Sequence, residues 1–235
     1  MSQAQTIAPA STVALLRDGA DGIETLLLRR SEKLAFAPGR WVFPGGRLDP
    51  QDYALANGCE EAAARAGAAR ESQEECCQRP DPAAMVLLSR WTTPEGHARR
   101  FSTYIFAAPL AQVGEVVVDG EEIDSACWLG AGAALQQHRA GELDVMPPTM
   151  ITLRLLDAHP TVAAFLQAAR EALVPEVFPN LCRSEAGLVS MYPGDAGYAA
   201  GDPSLPGARH RAVLVDGEWI YLHEGVDAAY PPLVP

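Results

Sequence analysis

A glycine turn followed by an acidic helix is the feature that most constrains how this sequence folds. The turn is Phe-Pro-Gly-Gly at residues 43–46, and the acidic segment is Arg-Glu-Ser-Gln-Glu-Glu at residues 70–75. The acidic segment lies in an Ala-rich stretch without proline, residues 51–79, which predicts a helix. Because residues three and four apart share one helix face, its three glutamates are expected side by side: Glu71, Glu74 and Glu75.

Three carboxylates on one helix face predict a cation site. Like charges at this spacing repel one another unless a cation lies between them. Oxygen ligands are those that Mg²⁺ and Mn²⁺ prefer, and a glycine turn can bring a bare backbone carbonyl close to the same ions. Taken alone, the glutamates are also compatible with a solvated acidic face. The upstream glycine turn favours the metal site.

The same residues resemble a known family. Arg-Glu-x-x-Glu-Glu after Phe-Pro-Gly-Gly resembles the Nudix box, the signature of hydrolases that split a diphosphate linked to a further moiety. Upstream, residues 26–31, Gly39 and residues 43–46 follow the spacing of the motif that accompanies the coenzyme A diphosphatase branch. Downstream, residues 91–96 and 99–103 are similar to the same branch. The resemblance covers about residues 12 to 140 and implies an α/β fold, an α/β/α sandwich with a mixed sheet.

The sequence departs from the family's box in three places. Residues 47–69, between the glycine turn and the Arg, contain an insertion of ten residues. The intermediate Glu of the box has no unambiguous match, and Glu60 and Glu61 are the nearest candidates. Cys77 replaces the Gly that commonly ends the helix in a left-handed conformation, so we expect Pro80 to stop the helix instead.

The resemblance implies the metal ligands. Glu71 and Glu75 match direct ligands, Glu74 matches a further ligand through an ion or a water molecule, and the carbonyl of Gly45 completes the coordination. By the same comparison Arg70 pins the glycine loop through an acidic partner, which we place at Glu60 or Glu61. Bound Mg²⁺ or Mn²⁺ would hold the phosphate oxygens and activate the attacking water.

Further residues are expected to contact substrate or to act in catalysis. A later loop of the family often supplies one more carboxylate as ligand or base, and Glu121 and Glu122 are the candidates here. We assign catalytic roles to Glu71, Glu74 and Glu122. Substrate binding is assigned to Arg30, Gly46 and Arg100. Arg100 is preferred to Arg99 because alternation along a strand sends only one of the two into the groove.

These residues predict metal-dependent hydrolysis of a diphosphate in a coenzyme A-type or nucleotide-linked substrate. Two alternatives stay open. The first is an ADP-ribose or nucleotide-sugar diphosphatase, since Ala35 stands where the coenzyme A motif usually carries Arg. The second is a non-catalytic Nudix module that binds a metabolite, which Cys77 and the insertion favour and the intact glutamates oppose.

Composition restricts the partners and the compartment. A formal net charge of −12 argues against a nucleic acid polymer as partner. The five cysteines are an odd number with two adjacent, which favours reduced thiols in a cytoplasm over a disulfide framework. No run approaches the roughly 18 apolar residues that span a bilayer, so we expect no membrane association. Residues 1–11 show no signal peptide and are predicted to be a disordered N-terminus.

The remaining pattern predicts a Nudix hydrolase domain at 12–140 and an extension at 141–235, packed on the core or on a partner in a homodimer. Apolar alternation and turn signals give the core strands. Gly58 and Gly67 are weak points in the helix predicted at 51–78. The elements expected after that helix include a strand pair at 116–118 and 125–129, two amphipathic helices at 150–156 and 162–173, an irregular segment at 174–207, and a hairpin at 211–215 and 218–223. In the hairpin Val213 and Val215 on one strand and Trp219 and Tyr221 on the other are expected to offer an apolar surface.

Overall fold

The fold is built on a long first strand. In the computed structural model, which describes residues 6–34, 37–110, 112–185 and 187–234, strand β1 (Ile7–Gly19) forms a hairpin with β2 (Gly22–Arg30). Asp18 and Gly19 pair directly with Ile23 and Gly22 across the turn that joins the two strands. The expected disordered N-terminus is wrong from Ile7 onward, because residues 7–11 pair with the strand segment 100–104, and residues 10 and 11 also pair with residues 46 and 47.

A mixed sheet of eight strands grows from this hairpin. Its order is β3-β2-β1-β6-β5-β8, with β4 paired to β1 and β7 paired to β2. The pairs β1–β6 and β5–β8 are parallel and the others are antiparallel, so the predicted mixed sheet is confirmed. The remaining strands are β3 (Trp41–Val42), β4 (Gly45–Arg47), β5 (Val86–Thr92), β6 (Arg100–Pro109), β7 (Ile123–Gly130) and β8 (Glu176–Val177).

Helices cover both faces of the sheet. Side chains alternate along β1, so that Val13 and Leu15 pack into one apolar cluster and Ala14 and Leu16 into another. The first cluster lies under α1 (Pro50–Leu55) and α2 (Glu60–Cys76). The second lies under α3 (Ala131–Arg139), α4 (Pro147–Asp157) and α5 (Val162–Glu171). This three-layer arrangement confirms the predicted α/β/α fold class.

The predicted long helix divides at one of its two glycines. Gly58, with φ of 81°, lies in the turn between α1 and α2. Gly67 stays inside α2, where an added Cβ would come within 2.6 Å of a Leu48 side-chain carbon. Glycine is therefore required at 67 for close packing, not for a break. At the other end Cys77 itself takes the left-handed conformation, with φ of 58°, so Pro80 is not needed to stop the helix.

The strand expected at 116–118 is absent, since residues 112–118 form a loop packed on the end of α2. The side-chain amide of Gln78 donates to the carbonyls of Gly114 and Glu115, and Val117 N–H donates to the Cys76 carbonyl. Asp119 then caps the turn before β7 by accepting from the amides of residues 121–123. The loop's hydrogen bonds go to the helix, which leaves no partner strand for it.

The extension contains a second sheet, with four antiparallel strands in the order β12-β11-β10-β9. The predicted hairpin is confirmed as β11 (Arg209–Val215) and β12 (Glu218–Glu224). The segment expected to be irregular is not, because it supplies β8 to the first sheet and β9 (Asn180–Ser184) and β10 (Gly187–Met191) to the second. Its short strands in a Pro- and Gly-rich run carry little periodic signal.

The pairing register corrects the expected apolar surface of the hairpin. Val213 lies opposite Ile220, whereas Trp219 lies opposite Leu214 and Tyr221 opposite Ala212. Opposed residues point to the same face of a sheet, so the valines and the two aromatic residues face opposite ways. Trp219 and Tyr221 are buried.

Several contacts join the extension to the rest of the chain. His138 of α3 accepts a hydrogen bond from the Trp219 amide through Nε2 at 2.9 Å, and its Nδ1 contacts the Leu143 carbonyl at 2.9 Å. The Asp18 carboxylate in the β1–β2 turn accepts from the Val162 amide at 2.8 Å and so caps α5. Within the described residues, no helix has the length and apolar character needed to cross a bilayer.

Candidate active site

The glycine turn adopts a backbone conformation that only glycine allows. Gly45 has φ of 154°, and a Cβ added there would lie 2.3 Å from the Ser11 carbonyl oxygen. The turn is fixed to β1 by the Pro44 carbonyl, which accepts from the Thr12 hydroxyl at 2.6 Å and from the Val13 amide at 2.9 Å. This contact holds the turn against the strand beneath α2.

Glu75 reaches the turn from α2. Its Oε2 accepts a hydrogen bond from the Gly45 amide at 2.8 Å, and the residue is 5% exposed. Burial raises the pKa of Glu75 to about 8, and the charge of Glu71 also raises it, while the hydrogen bond from Gly45 opposes this rise. Glu71 lies on the next glycine: a Cβ added to Gly46 would come within 2.6 Å of the Glu71 carboxylate. Two carboxylates thus meet the two glycines.

Arg70 is held by a partner that the sequence did not reveal. Its guanidinium donates to the buried carboxylate of Asp52 at 3.2 and 3.1 Å, and to the Arg47 carbonyl at 3.0 Å. It also donates to Glu71 and to Glu74, each at 2.9 Å. Burial alone would lower the pKa of Arg70, but the hydrogen bonds to Asp52 and Glu71 raise it. Arg70 therefore stays charged and faces several acids at once.

The placement of the Arg70 partner at Glu60 or Glu61 is wrong. Glu60 accepts from Arg90 at 3.1 Å and from the Tyr104 hydroxyl at 2.8 Å, and Glu61 pairs with Arg65 at 2.7 Å. Both glutamates lie at the start of α2, and Arg70 is ten residues after Glu60 and nine after Glu61 along the helix. The inserted segment folds as α1 and brings Asp52 there instead.

Two other predicted residues act on Glu75 through their charges. The Arg30 guanidinium lowers the pKa of Glu75 and the Glu122 carboxylate raises it, although burial dominates. The Ser31 amide donates to the Glu122 carbonyl at 2.8 Å, which joins the loop before β7 to the end of β2. Glu122 is exposed. The structure thus brings Arg30 and Glu122 to the same end of the site.

Glu74 and Arg100 are placed differently. The Glu74 side chain is 56% exposed and contacts Arg70. Arg100 lies opposite Ile7 of β1, whereas Gly45 lies opposite Thr12. Five residues of extended strand correspond to about 16 Å, so the Arg100 backbone is not beside the turn. The Arg100 Nε donates to the Thr93 carbonyl at 3.0 Å.

The residues present suit a hard divalent cation. Within the described ranges, no group of three Asp, Glu, His or Cys side chains is already arranged around one point, because Glu71 and Glu74 contact Arg70. The donors are nevertheless carboxylate oxygens, the type that Mg²⁺ and Mn²⁺ prefer. Burial raises the pKa of Glu71 as well as that of Glu75. A divalent cation would relieve this accumulation of buried negative charge.

Sequence reasoning missed Asp52 and Thr12. A signal for the first exists: Asp49-Pro50 is typical of a helix start, and a helix within the insertion is able to carry an acid toward Arg70. Thr12 gave no signal, since a β-branched residue in a strand needs no further explanation.

Similarity to solved structures was found, and the first of them shares the fold. A NUDIX hydrolase from Alicyclobacillus acidocaldarius is 26% identical, with a TM-score of 0.63, and the match covers 72% of this chain and 98% of that one. An Ap4A hydrolase of C. elegans in a binary complex is 20% identical with a TM-score of 0.45, covering 63% and 93% of the two chains. The NUDIX domain of Shewanella oneidensis NrtR, complexed with ADP ribose, is 16% identical with a TM-score of 0.44, covering 56% and 78%.

A family comparison agrees with the geometry. No curated protein matches the sequence. The model of the NUDIX domain matches residues 7–147, more than half of the chain. It spans the glycine turn, α2 and the loop of Glu122, which are the elements that form the site. The chain belongs to the Nudix family and carries a hydrolase domain of the kind that acts on pyrophosphate bonds.

Proposed function

We propose that this protein hydrolyses the diphosphate of a coenzyme A-type substrate with the help of Mg²⁺ or Mn²⁺. The observation that carries the proposal is the contact of two α2 carboxylates with the glycine turn: Glu75 on the Gly45 amide and Glu71 against Gly46. Carboxylates concentrated beside a backbone turn are the donors that a diphosphate-binding metal requires.

The assignment of the substrate rests on the motif upstream of the turn. Its residues form one local unit beside the site, since the Gly39 amide donates to the Arg30 carbonyl at 3.1 Å and the Arg30 amide donates to the Arg40 carbonyl at 2.9 Å. Gly39 has φ of 69°, a conformation that favours glycine. Ala35, where the motif usually carries Arg, lies outside the described residues.

Each carboxylate has a proposed role. Glu71 and Glu75 would hold the metal together with the Gly45 carbonyl, and Glu74 would join them on leaving Arg70. Bound divalent ions neutralise phosphate oxygens and lower the pKa of the attacking water. Glu122, exposed at the edge of the site, would accept a proton from that water. Arg30 and Gly46 would contact the phosphates, because a guanidinium fork and a bare backbone suit phosphate oxygens.

A substrate panel with one variant tests the proposal. Glu75→Gln keeps the side-chain shape and removes the charge, so metal-dependent turnover should fall by at least about a hundredfold while the fold persists. Glu142→Gln, an exposed residue after α3, is the matched control and should retain full activity. Coenzyme A should give 3′,5′-ADP and a 4′-phosphopantetheine product. Much faster hydrolysis of ADP-ribose or a nucleotide sugar would replace the coenzyme A assignment, and near-normal turnover by folded Glu75→Gln would refute the metal assignment.

The homodimer and the cytoplasmic location stay predictions. Trp219 and Tyr221 are buried within one chain, so the half-buried valine side of the hairpin is the side that could meet a partner subunit. Light scattering of the full chain at micromolar concentration tests the dimer, and a monomer would end it.

A further inference from the structure

One peptide unit in the glycine turn is held at both ends. The carbonyl oxygen of Pro44 accepts from the Thr12 hydroxyl at 2.6 Å and from the Val13 amide at 2.9 Å. The amide of the same peptide bond, that of Gly45, donates to Glu75 Oε2 at 2.8 Å. Because a peptide unit is planar, fixing its oxygen also fixes the direction of its N–H. The Thr12 hydroxyl and the Glu75 carboxylate therefore lie at opposite ends of one rigid group.

We propose that Thr12 is a positioning residue for Glu75, acting through the Pro44–Gly45 peptide. The significance of this role for metal binding rests on the proposed function, in which Glu75 is a metal ligand. The role itself concerns only the orientation of the Gly45 amide and of the carboxylate that it binds.

The Pro44–Gly45 peptide needs contacts from outside the turn to fix its orientation, because glycine allows many backbone conformations. Glycine populates many conformations, and residues 45 and 46 are both glycine, so the side chains of the turn do not fix the peptide plane, and the pairing of β4 with β1 begins only at Gly45. Pro44 has no N–H with which to tie the turn down. The Val13 amide is present whatever the side chain at 13. Among the described residues the side-chain donor to the Pro44 carbonyl is the hydroxyl of Thr12, which lies closer to this carbonyl, at 2.6 Å, than to that of Phe43, at 3.1 Å.

Hydrogen bonding at the carbonyl also affects the amide. A donor on a carbonyl oxygen polarises the peptide and strengthens the hydrogen bond that its N–H makes, as in chains of hydrogen bonds in a medium of low dielectric. The acceptor here is a carboxylate that is almost fully buried. The 2.8 Å hydrogen bond from this amide therefore anchors the Glu75 side chain.

The ordinary explanation of Thr12 is that a β-branched residue suits a strand. Valine would satisfy that explanation equally well, since it has almost the same shape and differs by the hydroxyl. Serine has the hydroxyl and lacks the branch. Thr12→Val and Thr12→Ser therefore separate strand preference from the hydrogen bond.

Ser11→Ala is the matched control. Ser11 is the neighbouring residue of β1, and its buried hydroxyl has no hydrogen-bond partner among the described residues. Removing it deletes a hydroxyl at the same depth in the strand without breaking a hydrogen bond. All three variants are single side-chain changes in the full-length protein.

The first measurement is made without metal, on the Gly45 amide by NMR. In Thr12→Val its proton resonance should move upfield and its exchange with solvent should become faster, while Thr12→Ser and Ser11→Ala keep the wild-type values. The second measurement is Mn²⁺ affinity by electron paramagnetic resonance. Residues that orient ligands typically affect metal affinity about 10–100-fold, so Thr12→Val should bind Mn²⁺ at least about tenfold more weakly and Thr12→Ser should restore the affinity.

The two measurements fail in distinguishable ways. An unchanged Gly45 amide in folded Thr12→Val overturns the positioning role whatever the enzyme hydrolyses. An equal change of the Gly45 amide in Thr12→Val and Thr12→Ser shows that the hydroxyl alone does not hold the peptide, which also overturns the role. A changed amide with unchanged Mn²⁺ affinity supports the positioning role and contradicts the assignment of Glu75 to the metal.

Discussion

Two arginine–aspartate pairs, one in the catalytic domain and one in the extension, show what separates a functional charge cluster from a structural one. Arg211 and Asp195 approach to 2.6 Å with side chains that are 7% and 0% exposed. Arg70 and Asp52 approach to 3.1 Å with side chains that are 16% and 2% exposed. Both pairs are buried, but their surroundings differ.

The pair in the extension is balanced. One cation faces one carboxylate, and the remaining groups are neutral: Asp195 accepts from the amides of Gly197 and His210, and Arg211 donates to the Pro203 carbonyl. Burial alone would raise the pKa of Asp195, but these hydrogen bonds, first that from Arg211, hold it below its usual value. The two charges cancel and their hydrogen bonds are made within the protein, so this ion pair does not require a bound ion.

The pair in the site carries excess negative charge. Arg70 faces Glu71 and Glu74 as well as Asp52, and Glu75 lies one turn further along the helix. Even with Arg30, whose charge acts on Glu75, the cations are two against four carboxylates, and burial raises the pKa of both Glu71 and Glu75. We infer that a group of carboxylates that outnumber the neighbouring cations indicates a site for a metal ion. A pair of equal and opposite charges has a structural role instead.

The largest effect is expected from breaking the balanced pair. Asp195→Ala leaves the buried Arg211 guanidinium without its partner, which should lower the free energy of unfolding by about 3–5 kcal/mol. Chemical denaturation measures this loss, and Glu185→Ala, an exposed acid in the same extension, is the control. The folded fraction should keep its Mn²⁺ affinity. A loss of unfolding free energy below about 1 kcal/mol would show that the ion pair of Arg211 and Asp195 contributes little to the stability of the fold.

The same pair predicts a dependence of stability on pH. Because the pKa of Asp195 is lower in the folded state, its contribution is fully present above the unfolded-state value of about 3.9 and is lost as the pH falls through the lower folded-state value. At acid pH the free energy of unfolding of the wild type should decrease by this contribution, whereas that of Asp195→Ala should not include this decrease. Parallel curves for the two proteins would contradict the pKa shift.

An intermediate effect is expected at the partner of Arg70. Asp52→Asn places an amide donor against the guanidinium and should lower the free energy of unfolding by about 2 kcal/mol. Freed from Asp52, Arg70 should compete harder for Glu71 and Glu74, so Mn²⁺ affinity should fall as well. Asp195→Ala is expected to lower the free energy of unfolding and to leave the Mn²⁺ affinity unchanged. The same pattern in Asp52→Asn would remove the distinction between the two pairs.

The smallest effect concerns backbone strain. Within the loop at 192–207 positive φ occurs at Gly194, Gly201 and Gly207, whereas the catalytic helix ends on Cys77 with φ of 58°. Cys77→Gly removes the cost of a left-handed conformation and should raise the free energy of unfolding by about 1 kcal/mol. Thermal and chemical denaturation test this, and destabilisation would show that Cys77 makes a packing contact that outweighs the strain.

The sequence predicted the elements that depend on local pattern. The three glutamates share a helix because their spacing matches its period, and the hairpin at β11–β12 follows from Asp216-Gly217 between two alternating runs. The glycine turn was recognised because its residues allow conformations that others do not. These features need no knowledge of distant parts of the chain.

What the sequence did not reveal depends on packing between distant residues. Asp52 and Arg70 are 18 positions apart, and they meet only because the inserted helix α1 folds back on α2. Arg100 was expected in the groove, but the pairing of β1 with β6 places it several residues from the turn. The short strands β9 and β10 form because their backbones pair with neighbouring strands, since their own sequences carry little apolar alternation.

Metal binding by the free protein tests the central claim most directly. Mn²⁺ is titrated against wild type, Glu75→Gln and the control Glu142→Gln, with bound metal read by electron paramagnetic resonance and folding checked by circular dichroism. If the surplus of charge at the turn holds the cation, wild type and the control should bind equally well, and Glu75→Gln should bind at least about tenfold more weakly. Equal Mn²⁺ affinity in all three folded proteins would contradict the account.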